Sequence, residues 1–272
     1  SSFTFSASVN PICYVGATPI LVDSETDTWN ICPKLLEETI NHRIKKGKLP
    51  KAIIVVHLNG MPCCMEKINL IAKKYKINVI EDSAQSILTE YNGKKIGNSN
   101  NICCFSLHPT KNFGGIMDGG FISTKNKVLA DKIKIMRNHG LQKRGIVKYV
   151  GQNSRLSEIN SNALLIKIGY LKKDTLHKIK LARLYDNFLN KRKIKTPNYG
   201  CCKKIQHTYH RYVIRVKQRK SLIKYLKSNG IETKVHYEKN IHQQKSILKK
   251  LKIPFKLHQT NKLSRETLSL PI

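Results

Sequence analysis

Acidic residues are scarce: Asp and Glu total 17 against 50 Lys and Arg, leaving a formal charge of +33 over 272 residues. Such an excess would ordinarily point to nucleic acid, because Lys and Arg neutralise phosphates and release counterions. The basic residues are, however, spread through almost every segment, mostly as Lys beside abundant Ile and Asn. No zinc-finger spacing or RNP-like aromatic motif accompanies them, so the sequence argues against a nucleic-acid partner. Long apolar runs are also missing. Nothing approaches the ~18 residues of a membrane span, and the start SSFTFSASVN lacks the regions of a signal peptide, so no membrane partner and a cytoplasmic location are expected. Six of the eight cysteines form adjacent pairs and no C-x-x-C spacing occurs, which supports neither a metal site nor a disulfide framework. Reduced thiols filling apolar space are expected instead.

What is present reads as an α/β chain. With 40% hydrophobic side chains, it is long enough for one large domain and a smaller one. TPILVD at 18 to 23 reads as a strand, and PKLLEETINHRI as a helix with Pro33 at its start. KAIIVVHL at 51 to 58 is a buried strand closed by Asn59 and Gly60, and MEKINLIAKKYK a helix with Ile68, Ile71 and Ala72 on one face. INVIED at 77 to 82 returns as a strand, followed by ICCFSL at 102 to 107 and GGFIST at 119 to 124. This β-α-β-α-β order predicts a parallel sheet with ligands at the carboxyl ends of its strands. Further on, a helix beginning near Leu156 with Ser154 as cap, and a long helical stretch from Ser161 to Arg192 broken near Gly169, are expected. After PNYGCC come a strand in HTYHRYVIRV, a helix in RKSLIKYLKSNG closed by Gly230, and a second strand in IETKVHY. KKGKLP at 45 to 50 reads as a tolerated surface insertion.

Asp82 stands at a strand end, where it can face a ligand or simply cap a following helix. Ser106 can donate to a phosphate or start a turn. Lys111, in SLHPTKNFGG, follows a strand and precedes a glycine pair. A lysine kept less solvated there can form a Schiff base with an aldehyde. The bland alternative is one surface lysine among many. His57 and His139, within VVHLNG and RNHG, read as turn-shaping residues rather than acids or bases.

The segments SFTFSASVNPICYVGATPILVD, AIIVVHLNGMP, VIEDSAQS, CFSLHPTKNFGG, DGGFIST, RNHG and GQNSRLSEINSNAL follow one another in an order that resembles the DegT/DnrJ/StrS family of nucleotide-sugar aminotransferases. The resemblance covers most of the chain. It implies the aspartate-aminotransferase-like architecture of fold type I transferases dependent on pyridoxal 5'-phosphate (PLP): a large α/β domain with a mainly parallel sheet (1 to 160), connecting helices (161 to 195) and a small α+β C-terminal domain (196 to 272). By position, Lys111 corresponds to the lysine that holds PLP, and Asp82 to the carboxylate paired with the pyridine nitrogen. Gln85 corresponds to a residue near the phenolic oxygen, Ser106 to a phosphate donor, and Phe5 to an aromatic against the ring, with core packing as its alternative. Asn153 corresponds to a residue reaching the phosphate of a neighbouring subunit, which implies a homodimer with shared sites; a plain loop Asn is the alternative. Arg155 carries a less specific match, and an ion pair or packing role serves as well. His236, Tyr237 and His242 are substrate-side candidates, although Glu238 replaces the family's usual proline after the His-aromatic pair.

The implied reaction moves an amino group, usually from glutamate, to a keto group of a nucleotide-linked hexose for an amino sugar of a surface polysaccharide. A lysine at 111 fits the aminotransferase branch, since related sugar dehydratases carry a histidine there. The resemblance also raises the expectation that the chain is truncated at both ends. It starts at SSFTF, where the family has already completed a glycine and Ser/Thr phosphate-binding turn, and stops at LSLPI, where a final helix normally follows. A catalytically silent or fragmentary relative is the alternative reading.

Overall fold

The computed structural model describes residues 1 to 197 and 204 to 272; Cys201, Cys202 and most of the PNYGCC junction lie outside them. The central sheet runs β1 (Ala52–Val56), β2 (Asn78–Asp82), β3 (Ile102–Ser106) and β4 (Gly120–Ser123), paired in that order. β1, β2 and β3 are parallel, and β4 joins β3 antiparallel. Helix α1 (Pro33–Ile44) starts on its proline and buries Leu36 and Ile40. Helix α2 (Met65–Tyr75) crosses from β1 to β2 with Met65, Ile68, Ile71 and Ala72 buried, the spacing of one helical face. These faces meet Ile53, Val55 and Val79 of the sheet in one apolar cluster. Each fully buried Ile or Leu there contributes about 1.5 to 3 kcal/mol.

Helix α3 (Lys127–Met136) leads to α4 (Glu158–Asn190), which is capped by Ser157, whose hydroxyl accepts from Asn160 N at 3.2 Å. The cap is therefore Ser157, not Ser154, and α4 runs unbroken through Gly169. That glycine has open space around it, so it creates no kink, and its cost of ~1 kcal/mol relative to alanine is carried by the rest of a 33-residue helix. The C-terminal half of α4 packs Ala182 and Leu189 against Tyr212, Ile214 and Leu268. Those residues belong to β5 (Tyr212–Arg215) and β6 (Thr267–Leu270), an antiparallel pair flanked by α5 (Arg219–Ser228) and α6 (His258–Glu266).

Two strand expectations are corrected. TPILVD is extended but makes one isolated bridge, Ile20 with Lys252. Pro19 has no N–H to give a ladder, and Asp23 accepts from Gln259 N and Thr260 N at the start of α6 instead. IETKVHY contributes only the bridge of Lys234 with Ser269; the partner of β5 is the C-terminal segment Thr267–Leu270. Lys234 thus meets the edge of β6 opposite to β5, through a single residue pair. Lys45 to Pro50 forms a mostly exposed turn after α1. Among the described residues, no helix is long and apolar enough to cross a membrane. The six described cysteines are free, and Cys63 and Cys103 are fully buried as apolar filler.

Candidate active site

The carboxyl ends of β1, β2 and β3 open onto a cavity of about 690 Å³ whose wall includes Phe5, Asp82, Gln85, Ser106 and Lys111. Arg211, His236 and Tyr237 close it from the C-terminal part of the chain. Residues separated by more than 200 positions thus share one chamber.

Asp82 leaves β2 at its last position, and no helix follows for it to cap. Its Oδ1 accepts from Ala84 N at 3.1 Å and its Oδ2 from the Ser8 hydroxyl at 2.6 Å, which fixes the carboxylate toward the cavity. Its neighbour Glu81 points to the opposite face, as alternation requires. There it meets His57 Nε2 at 2.9 Å, while His57 Nδ1 accepts from Cys63 N at 3.0 Å. The ring proton therefore sits on Nε2. Burial alone would raise Glu81, but hydrogen bonds from His57, Asn101 and Ser99 hold it down, at about 2. His57 is a structural residue under the site. His139 sits exposed at φ +57° in a turn, again shaping the backbone.

Lys111 lies in a loop that leaves β3 and returns at β4. Leu107 N donates to Gly119 O, and Gly115 N to Leu107 O, both at 2.8 Å. Gly115 is required by space: a Cβ there would fall 1.9 Å from Asn160 Oδ1. Asn160, 1% exposed, grips the loop by accepting from Ile116 N (2.9 Å) and Met117 N (3.3 Å) and donating to Met117 O (3.1 Å). Lys167 donates to Gly114 O, and Asn112 bridges Thr208 O and Lys178. Asn160→Ala strands two backbone N–H groups, so it is expected to cost about 2 to 3 kcal/mol in urea unfolding. The loop of Lys111 should loosen with it, and an unchanged unfolding midpoint would contradict this grip.

Burial, reinforced by the nearby Arg211 guanidinium and opposed by Asp82, holds Lys111 below the ordinary lysine value. A larger share of its amine is then neutral and nucleophilic. Ser106 Oγ accepts from His108 N at 3.3 Å, which leaves its own proton free to donate into the cavity. Gln85, expected near a ring oxygen, holds Asn59 N on Oε1 at 2.6 Å and reaches Tyr237 OH with Nε2 at 3.4 Å. That contact depends on the turn at Gly60, where φ is +93° and a Cβ would lie 3.0 Å from Thr208 Oγ1. Phe5 is 55% exposed and stands 5.8 Å from the Tyr237 ring, so it is a wall of the cavity and not a core residue.

Two expected site residues lie elsewhere. His242 spends both ring nitrogens outside the cavity, Nδ1 with Ser2 Oγ at 2.8 Å and Nε2 with Asn261 Oδ1 at 3.0 Å. Asn153 is exposed, bridges Asn138, and accepts from Arg155 Nε at 3.0 Å; it does not line this chain's own cavity. Ser8 and Arg211 were not singled out by the sequence. Ser8 lies in the family-like segment SFTFSASVNPICYVGATPILVD but is one of several serines and threonines there, and Arg211 is one cation among many.

Three imidazoles of the C-terminal part are kept from protonation, and His236 among them lines the cavity. Burial pushes His207 down to about 3. Burial, then Arg211, Lys111, Lys178 and His236, takes His210 to about 2; burial, then Arg211, Lys234 and Lys111, takes His236 to about 4. Both ring nitrogens of His210 are buried without a hydrogen-bond partner among the described residues. Unfolded histidine titrates near 6.5, so below that pH the unfolded chain binds more protons than the folded one. Stability is therefore full above about pH 6.5 and falls as pH drops toward the folded values, by up to about 1.4 kcal/mol per pH unit for each fully buried imidazole. The melting temperature is expected to fall between pH 7 and 5; a flat profile would contradict neutral burial.

A half-buried, activated lysine and a fixed carboxylate facing one chamber, with a free hydroxyl donor and an aromatic wall, form a donor set that fits PLP. The amine suits its aldehyde, the carboxylate its ring nitrogen and the hydroxyl its phosphate. Fold and site together define a fold type I PLP-dependent transferase. The chain belongs to the DegT/DnrJ/EryC1/StrS aminotransferase family, which matches residues 1 to 272. It is 39% identical over 271 residues to the dTDP-3-amino-3,6-dideoxy-alpha-D-galactopyranose transaminase of Aneurinibacillus thermoaerophilus, covering 100% of this chain and 72% of that protein. The solved DegT DnrJ EryC1 StrS aminotransferase from Brucella abortus superimposes with a TM-score of 0.95 at 32% identity, over 100% of this chain and 72% of that one. NtdA from Bacillus subtilis, solved with bound cofactor PMP, gives 0.85 at 30% identity, over 98% and 61%.

Proposed function

We propose that this chain transfers an amino group from glutamate to a keto group of a nucleotide-linked hexose, supplying an amino sugar for polysaccharide biosynthesis. The observation that carries this reading is the meeting of Lys111 and Asp82 in one cavity, with the lysine held below its ordinary pKa. The galactose-type transaminase at 39% identity supports the substrate class. PLP, when bound, supplies an electron sink that delocalises the electron pair left as a substrate C–H proton is removed.

The residues then divide the work. Lys111 would hold the cofactor through Nζ until the amine of the amino donor takes its place. Its freed Nζ takes the proton from the α-carbon of the amino donor and delivers it on the same face, so tether and base are one group. Asp82 would hold a proton on the ring nitrogen, Ser106 would donate to the phosphate, and Phe5 and Gln85 would border the ring. His236 and Tyr237 face the sugar side. With a keto sugar in the amino donor's place, the same Lys111 Nζ would move the proton in the opposite direction, as a ping-pong cycle requires.

The enzyme acts as a cytoplasmic homodimer in this reading. Asn153, exposed and with its side chain bonded among the described residues only through Oδ1 to Arg155, would serve the partner's phosphate site, and the outward Leu165, Ile166 and Tyr170 of α4, 60 to 70% exposed, offer an apolar face for the second copy. To test the function, the PLP-loaded protein is given L-glutamate with 3-keto and 4-keto nucleotide hexoses. Equal amounts of 2-oxoglutarate and nucleotide-linked amino sugar are expected from one of them. A loaded protein that aminates none of them would overturn the assignment.

A further inference from the structure

Arg211 is a half-buried cation with unused capacity. Its guanidinium lines the cavity, and among the described residues its one side-chain hydrogen bond runs from Nη1 to Tyr237 OH at 3.2 Å, with the guanidinium 5.7 Å from that ring. Among the described residues, no carboxylate lies within ion-pair distance of it. A guanidinium has five N–H donors in a planar fork that matches a carboxylate or a phosphate in bidentate fashion. Held at the mouth of a reacting centre with most of those donors unspent, it is built for an anion that arrives with the substrate.

We propose that Arg211 anchors the α-carboxylate of the amino donor, and that the Tyr237 hydroxyl holds the guanidinium in place when no carboxylate is present. This rests on the transaminase reading and names how that site recognises its first substrate. Two anions enter such a cycle, the carboxylate of an amino acid and the diphosphate of a nucleotide sugar. Distance favours the first. Arg211 is close enough to Lys111 to perturb it electrostatically, and an α-carboxylate sits one bond from the carbon that reacts at Lys111. A diphosphate is separated from the keto carbon by the width of a sugar ring. The Tyr237 contact fits the alternation of substrates: its oxygen already accepts from Gln85 Nε2 at 3.4 Å as well as from Arg211. The guanidinium can therefore return to a fixed acceptor when the uncharged hexose ring of the nucleotide sugar takes the amino acid's place beside Lys111, and is never left unpaired.

The test compares the PLP-loaded wild type with Arg211→Gln and Arg211→Lys. Calorimetry follows binding of glutarate and, separately, of UDP; stopped-flow spectroscopy follows the first half-reaction with L-glutamate and with 4-aminobutyrate, which is glutamate without its α-carboxylate. In Arg211→Gln, glutarate should bind at least ~10-fold more weakly, with UDP within about twofold of wild type. The preference for glutamate over 4-aminobutyrate should shrink at least ~10-fold, and Arg211→Lys should restore part of it by charge without the fork. Loss of UDP binding with glutarate unchanged would overturn the proposal in favour of a phosphate anchor. An unchanged glutamate preference would overturn it as well. Borohydride trapping of PLP on Lys111 in the same samples separates the two levels: an intact adduct with no effect on glutarate refutes the anchor alone, while no adduct in wild type refutes the transaminase reading beneath it.

Discussion

Lys111→Ala is expected to abolish covalent capture of PLP and to lower amino transfer by at least ~10³-fold. Two functions vanish together. The covalent tether goes, and with it the amine that moves the proton, a general acid–base contribution that is worth about 10²- to 10⁴-fold by itself. The lysine lies in a loop held through Asn112, Gly114 and Gly115 to Gly119, so its side chain is not what closes the loop. The variant should fold and melt like the wild type while losing the borohydride-trapped adduct. An adduct that persists on another of the many lysines, with activity retained, would show that the cavity amine is not the reactive one.

Asp82→Asn carries the second largest effect. The substitution keeps the shape and one acceptor, so Ala84 N and the Ser8 hydroxyl retain a polar partner and the strand end is preserved. The lost item is charge. An opposite charge beside a titrating nitrogen raises its proton affinity by about 1 to 3 pK units, so without it the ring nitrogen is protonated about 10- to 10³-fold less often at a given pH. Catalysis should fall by that factor with PLP still attached to Lys111. The deficit should ease as pH is lowered, because protons then supply what the carboxylate no longer holds; the assay must stay above the acid-labile range set by His207 and His210. A pH-independent deficit would point to a purely structural Asp82.

Much of the sheet was legible because its signals are local. Pro33 opens α1, the Ile68, Ile71, Ala72 spacing sets the face of α2, and the runs ending at Val56, Asp82 and Ser106 are buried strands whose order forces their carboxyl ends together. Asp82, Ser106 and Lys111 therefore fall at one edge as soon as the sheet is drawn. The C-terminal part was less legible because its pairing is long-range. Thr267–Leu270, more than 50 residues beyond β5, is its partner, while 231 to 237 only touches the other edge of that strand at Lys234. Ser157 replaces Ser154 as the cap of α4 because two serines three residues apart offer the same chemistry. His236 and Tyr237 reach the cavity, whereas His242, five or six residues further on, turns away to Ser2 and Asn261. Arg211 had no sequence signal at all in so basic a chain; only its unpaired position in the cavity sets it apart.

The most direct test of the central claim is a single turnover of the PLP-loaded protein with ¹⁵N-labelled L-glutamate and no sugar. One equivalent of 2-oxoglutarate per Lys111 site, with the label recovered in pyridoxamine phosphate, is the result expected. PLP bound to Lys111 but left unlabelled, with no 2-oxoglutarate formed from glutamate, would contradict it.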